Sequence, residues 1–162
     1  MPEYHGKSVL ILGCGNILFG DDGFGPAVVE ELEREYDIPD HVYVINAGLS
    51  VRELLFNITL DEEKPDRIII VDAVDFGSTP GELFEIDLDE IPENKIDDFS
   101  MHQMPTSNLL RELRDLCGVD VRILSCQVVK IPEFVEPGLS DTLKNKVKEA
   151  CELIVEKYFK LP

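Results

Sequence analysis

Residues 9–25 read VLILGCGNILFGDDGFG and lead directly into the segment PAVVEELEREY. An apolar run stops at Gly13, the chain crosses a short loop, and two adjacent acids, Asp21 and Asp22, precede a helical pattern. In open α/β sheets, ligands bind beyond the carboxyl ends of the parallel strands. The sequence therefore places Asp21 and Asp22 where chemistry is expected.

The rest of the chain alternates between strand and helix patterns. Strands are predicted at 8–12, 41–46, 67–72, 81–88 and 119–129, and helices at 26–36, 51–59, about 106–117 and about 140–159. The segment 81–88 alternates apolar and acidic residues, which indicates an edge strand of either direction, and 89–102 is predicted as a long loop. This order predicts an α/β fold, a three-layer α/β/α sandwich around a mostly parallel twisted sheet of about five strands, with 1–162 as one domain.

Net charge and hydropathy restrict the partners that this chain can have. The chain has 162 residues, 33 of them acidic and 15 basic, and its net charge of −18 would repel a nucleic acid backbone. No apolar run approaches the roughly 18 residues of a membrane span, and no signal peptide is recognised, so we expect a cytoplasmic protein without a membrane partner. Every amphipathic helix has sheet to cover, which favours a monomer.

Three polar residues form a candidate metal site. Asp22 follows the first predicted strand and Asp72 ends the most apolar one, so both are expected at the same edge of the sheet. His102 lies just before a predicted helix start, in the long loop. Two carboxylates and an imidazole suit a divalent transition metal. The alternatives are a helix-dipole partner for Asp22, a turn or cap role for Asp72 and a surface position for His102.

Two other kinds of site are conceivable in the same segment. The glycines of G13-C-G15 resemble the start of a dinucleotide fingerprint, but the next glycine is Gly20 and the second strand ends at Asn46 rather than at an acid. A nucleotide site is therefore not favoured. Cys14 could act as a thiol nucleophile with His102 as its base, although a cysteine between two glycines after a buried strand is more often a packing residue.

The combined motifs resemble one family. The pattern G13-C-G15-N16-x-L18-x-G20-D21-D22-G23-x-G25, the strand ending at Asp72-Ala73, and the segment S100-M101-H102-Q103-M104 closely resemble the [NiFe]-hydrogenase maturation endopeptidases. The segment MHQMPTSNLLREL is most similar to the branch that processes the deazaflavin-reducing hydrogenases of methanogens. The resemblance spans nearly the whole chain.

The resemblance implies an activity and a site. Members cut a C-terminal extension from the precursor of the hydrogenase large subunit after nickel insertion, and their three metal-contacting positions correspond here to Asp22, Asp72 and His102. The nickel is expected to arrive with the precursor, and other divalent ions are expected to bind in vitro. The metal would polarise the scissile carbonyl or activate a water, with Asp21 as a candidate spare base.

Two other functions remain open from the sequence. A metal-dependent hydrolase of small substrates would share the sandwich but would turn over model esters or phosphates without a protein partner. A nickel-binding assembly factor without catalysis would form a stoichiometric complex with the precursor and leave its mass unchanged. Maturation endopeptidase activity is the function that the motifs favour.

Overall fold

The computed structural model describes residues 3–90 and 106–162. Five strands and four helices alternate along the chain, with a short 3-10 turn at Gly20–Gly23 and another at Leu88–Glu90. The strands are β1 (Val9–Cys14), β2 (Val42–Gly48), β3 (Arg67–Val74), β4 (Leu83–Ile86) and β5 (Asp120–Gln127). The helices are α1 (Phe24–Glu35), α2 (Val51–Leu60), α3 (Thr106–Cys117) and α4 (Asp141–Tyr158).

The strands form one sheet in the order β2-β1-β3-β5-β4. β1, β2, β3 and β5 are parallel to their neighbours, and β4 pairs with β5 in the antiparallel direction. β3 occupies the centre, as its almost uninterrupted apolar sequence predicts, because a central parallel strand is covered on both faces. β4 is an edge strand, which confirms the prediction for this segment and fixes its direction.

The helices cover both faces of the sheet. α1 and α4 pack on one face around the buried residues Phe24, Val29, Leu32, Cys151, Ile154 and Tyr158. α2 and α3 pack on the other face through Val51, Leu55, Ile58, Leu110 and Leu113. The predicted three-layer α/β/α sandwich is confirmed. No helix in the described ranges, 3–90 and 106–162, is long and apolar enough to cross a membrane.

Several boundaries differ from the prediction. The central strand runs two residues beyond Asp72, because its pairing with β5 continues to Val74 opposite Gln127. β4 is shorter than predicted, since Gly81 adopts a φ of +86° in the turn before it. Helix α1 begins two residues before Pro26. Most of the predicted loop 89–102 lies outside the described residues.

Candidate functional site

Three side chains lie in a row across neighbouring strands at the carboxyl edge of the sheet, the edge at which the parallel strands end. Asp72 on β3 pairs in register with Ser125 on β5, and Cys14 on β1 follows directly after the pair Gly13 and Val71. All three residues are buried. One carboxylate oxygen of Asp72 accepts a hydrogen bond of 2.9 Å from the backbone N–H of Ala73.

Asp22 reaches the same edge from the 3-10 turn that precedes α1. Its carboxylate is buried, and one oxygen accepts a hydrogen bond of 2.9 Å from the backbone N–H of Asn16. The loop folds tightly over the turn at Gly15, where a Cβ atom would stand 2.0 Å from the carbonyl oxygen of Asp22. Gly15 has a φ of +135°, which favours glycine. The loop glycine therefore allows Asp22 to be held beside the strand ends.

The two acids influence each other electrostatically. Burial raises the pKa of Asp72 well above its usual range, and the negative charge of Asp22 raises it further. The cost of burying a charge and the repulsion between like charges both favour the neutral acid. The structure thus brings Asp22 and Asp72 together, in a setting where a divalent cation would offset both effects.

Cys14 lies near the same pair, but its thiol is held in the neutral form. Burial raises the pKa of Cys14 well above its usual range, and the charges of Asp72 and then Asp22 add to this effect. The thiolate is the nucleophilic form of cysteine. The environment of Cys14 therefore does not favour the nucleophilic role considered from the sequence.

His102 lies outside the described residues. Helix α3 begins at Thr106 and ends just before β5 starts, so the helix runs back along the sheet from the carboxyl edge. Within residues 3–90 and 106–162, no group of three His, Cys, Asp or Glu side chains is placed to hold a metal ion. The three-residue metal site stays a prediction.

Asp21 makes a different set of contacts from Asp22. Its carboxylate accepts hydrogen bonds from the backbone N–H of Val129 at 2.9 Å, the backbone N–H of Ser140 at 2.7 Å and the Ser140 hydroxyl at 3.0 Å. These bonds use both carboxylate oxygens. Asp21 therefore ties the segment that leads from β5 into α4 onto the turn that carries Asp22, and its role as a base stays a prediction.

Ser125 is a residue at this edge that the sequence analysis did not assign to the site. Its side chain is fully buried beside Asp72, and its hydroxyl has no hydrogen-bond partner among the described residues. The signal in the sequence was a polar residue interrupting an otherwise apolar strand. A buried hydroxyl of this kind usually has a partner or a function.

A comparison with known families identifies the class of protein. Residues 26–157 match the family model for hydrogenase maturation proteases, which is most of the chain. The chain therefore belongs to the hydrogenase maturation protease family, and it is a peptidase of the endopeptidase type. This match begins at Pro26 in α1, so it includes Asp72 but not Asp21 or Asp22.

Relatives support the methanogen branch of the family. The chain is 42% identical over 151 residues to a candidate hydrogenase maturation protease of Methanocaldococcus jannaschii, covering 92% of this chain and 95% of that protein. It is 37% identical to the coenzyme F420 hydrogenase subunit delta of Methanothermobacter thermautotrophicus, covering 91% and 92%.

A solved structure confirms the fold. The hydrogenase-maturating endopeptidase HybD from Escherichia coli superposes with a TM-score of 0.69 and is 32% identical in sequence. The match covers 91% of this chain and 90% of that one. The α/β/α sandwich is therefore a fold already known for a hydrogenase-maturating endopeptidase.

Proposed function

We propose that the protein removes the C-terminal extension of a [NiFe]-hydrogenase large-subunit precursor after nickel has been inserted. Membership of the maturation protease family supports the reaction, and the buried pair Asp22 and Asp72 carries the assignment of the site. Two buried carboxylates at the carboxyl edge of a parallel sheet are expensive unless a cation or a proton neutralises them. A metal-bearing substrate supplies such a cation.

In this proposal the nickel is part of the substrate. The donor set of Asp22, Asp72 and His102 contains carboxylates and an imidazole but no thiolate, so these residues alone should hold free nickel weakly. Thiolates of the precursor would complete the coordination. A precursor without nickel would then lack the ion that these residues recognise, which links recognition to cleavage.

The residues of this chain have separate tasks in the reaction. The Asn16 N–H orients Asp22, and the Ala73 N–H orients Asp72. His102 must be neutral to act as a ligand. The bound nickel ion would supply polarisation of the scissile carbonyl or activation of a water, and both routes fit this arrangement.

The proposal also includes a cellular location and an oligomeric state. We propose a cytoplasmic monomer, since the cysteines among the described residues are free thiols and the helices cover their own sheet. A small-substrate hydrolase and a non-catalytic assembly factor are not favoured, because the family match and the solved neighbour are peptidases.

Mass spectrometry of the precursor tests this function. Nickel-loaded and nickel-free precursor are each incubated with the protein, and loss of a C-terminal peptide is expected from the loaded form alone. The variants Asp22→Ala, Asp72→Ala and His102→Ala should fold, as judged by circular dichroism, and should leave the loaded precursor at full mass. Asp40→Ala is the matched control, because Asp40 is an exposed acid that precedes β2 at the opposite edge of the sheet.

Two results would contradict the proposal. Cleavage of the nickel-free precursor at the same rate would remove the link between nickel and recognition. Full processing by the three site variants would remove the metal-binding role of these side chains.

A further inference from the structure

The loops at the carboxyl edge carry most of the exposed apolar side chains in the described part of the chain. Of the eleven large apolar side chains exposed there, seven lie in loops that follow β1, β2, β3 or β5: Ile17, Leu18, Leu49, Phe76, Val129, Phe134 and Val135. The remaining four are Phe56, Leu60, Leu116 and Leu161. Exposed apolar side chains that concentrate on one part of a folded protein are typical of interaction sites. This concentration points to a binding surface at the site edge.

Two of these loops are joined by backbone pairing. Phe19 and Glu136 form a parallel bridge, in which the Gly20 N–H donates to the Glu136 carbonyl oxygen at 2.8 Å. The Glu136 N–H donates to the Leu18 carbonyl oxygen, also at 2.8 Å. Exposed apolar residues lie just before this bridge on both segments. We call this group the apolar platform, and it consists of Ile17, Leu18, Phe134 and Val135.

Asp21 holds the platform in place. Its three hydrogen bonds to Val129 and Ser140 fix both ends of the segment that contains Phe134 and Val135. The carboxylate is only 1% exposed, so these bonds are protected from water. A surface ordered in this way before binding loses less conformational entropy on association.

We propose that the apolar platform docks the folded body of the hydrogenase precursor, so that its C-terminal segment reaches Asp22 and Asp72. This inference rests on the proposed function. The platform is continuous with the site, since the loop that carries Ile17 and Leu18 leads directly into Asp22. An endopeptidase that acts on one bond of a folded precursor needs contacts beyond the cleaved segment to place that bond.

The surroundings of the platform specify the chemistry of its partner. Exposed Glu133 and Glu136 flank Phe134 and Val135, in a chain whose net charge is −18. The complementary surface of the precursor is therefore apolar at its centre, with Lys or Arg side chains where it meets Glu133 and Glu136. A cleft of about 400 Å³ beside the platform has a volume that accepts an anchoring side chain, and its lining includes the apolar Val129 and Pro132 together with the charged Lys130, Glu136 and Lys144.

Matched substitutions test the docking surface. Ile17→Asp and Phe134→Asp are compared with Leu60→Asp and Leu116→Asp, using the full-length protein and nickel-loaded precursor. The exposed fractions are similar, at 60% and 81% on the platform and 69% and 78% for the controls. Leu60 and Leu116 lie at or near the ends of α2 and α3, close to the opposite edge of the sheet.

The platform variants should raise KM for the precursor about tenfold or more each, as expected for central contacts of an interface, and leave kcat at saturating precursor unchanged. The controls should leave both constants unchanged. Glu133→Lys should weaken binding at low salt, and this loss should shrink as ionic strength rises. Circular dichroism and thermal unfolding show that each variant is folded.

Three outcomes distinguish docking of the precursor from self-association, and failure of the docking surface from failure of the proposed function. Unchanged KM in both folded platform variants would overturn the proposal. A dimer in sedimentation analysis of the wild-type protein that Phe134→Asp dissociates would also overturn it, since the platform would then bind a second copy. If the wild-type protein binds the precursor through the platform but never cleaves it, the docking surface stands and the proposed function fails.

Discussion

A Cβ atom on Gly13 would stand 2.5 Å from the carbonyl oxygen of Gly25. The first turn of α1 therefore touches the end of β1 at a point where neither residue has a side chain. A Cβ atom on Gly25 would in turn stand 2.3 Å from the Cys14 carbonyl oxygen and 2.4 Å from that of Val71. The Asp22 turn directly precedes α1, so this close contact also determines how near to the sheet the turn lies.

Gly25→Ala should destabilise the protein, although replacing glycine by alanine inside a helix is normally favourable. The new methyl group would overlap backbone atoms of two strands, which cannot move aside as a flexible side chain can. We expect a loss of about 2–3 kcal/mol, or a fall in Tm of roughly 6–10 °C by thermal unfolding.

Gly77→Ala is the control for this measurement. Gly77 has a φ of +74°, and no atom lies within 4 Å of the position that a methyl group would take, so the variant incurs only backbone strain. The expected cost is about 1 kcal/mol. Equal losses in the two variants would show that the contact between α1 and the sheet is less tight than described.

Asp72→Asn should stabilise the metal-free protein, and the gain should grow with pH. Because the folded-state pKa of Asp72 is raised, the stability from its neutral form is fully present below the unfolded-state pKa of about 4 and is lost as pH rises through the folded-state value. Asparagine stays neutral throughout. The Tm of the variant minus that of the wild type should be larger at pH 8 than at pH 4.5.

Asp40→Asn serves as the reference for this comparison, since Asp40 is exposed. The Tm difference of Asp72→Asn is read against that of Asp40→Asn at each pH, because both variants remove one carboxylate. A constant difference for Asp72→Asn would mean that Asp72 is ionised in the folded protein at low pH as well.

Cys14→Ala should retain processing of nickel-loaded precursor within about twofold of the wild-type rate. The raised pKa of Cys14 keeps its sulfur in the thiol form, which is a poor nucleophile. In the native protein, iodoacetamide at pH 7.5 should modify Cys117, which is half-buried, before Cys14, which is buried. Loss of processing in a folded Cys14→Ala protein would instead indicate a thiol mechanism.

Ser125→Ala should raise the stability of the protein and slow the cleavage of its precursor. Removing a buried hydroxyl that lacks a partner among the described residues should stabilise by about 1 kcal/mol. Cleavage should slow because Ser125 pairs in register with Asp72, and loss of a polar group at this position makes the surroundings of the carboxylate less favourable for its ionised form. A lower Tm would show that the hydroxyl is hydrogen-bonded in the folded protein.

Much of the fold could be predicted because its signals are local. The apolar run at 67–72 indicates a central strand, and the spacing of Leu143, Cys151 and Ile154 indicates a helix face. The direction of β4 could not be predicted, because an alternating pattern is the same in both directions. The extension of β3 beyond Asp72 depends on pairing with β5, which is distant in sequence.

The site was predicted less completely, because some of its contacts join residues that are distant in sequence. The strand ends indicated that Asp22 and Asp72 share an edge, and the structure brings them close enough for one charge to act on the other. The contacts of Asp21 involve Val129 and Ser140, more than a hundred residues away, and no local pattern indicates them. For His102, the metal-binding role stays a prediction.

The bridge between Phe19 and Glu136 affects how this enzyme could be retargeted. Parallel strands deliver both segments to one edge, so loops can be exchanged there without repacking the sheet. Because Leu18 and Gly20 pair with Glu136, and Asp21 binds Val129 and Ser140, exchanging one loop alone would break the pairing of the other. A chimera with new substrate preference has to inherit both segments from the same donor.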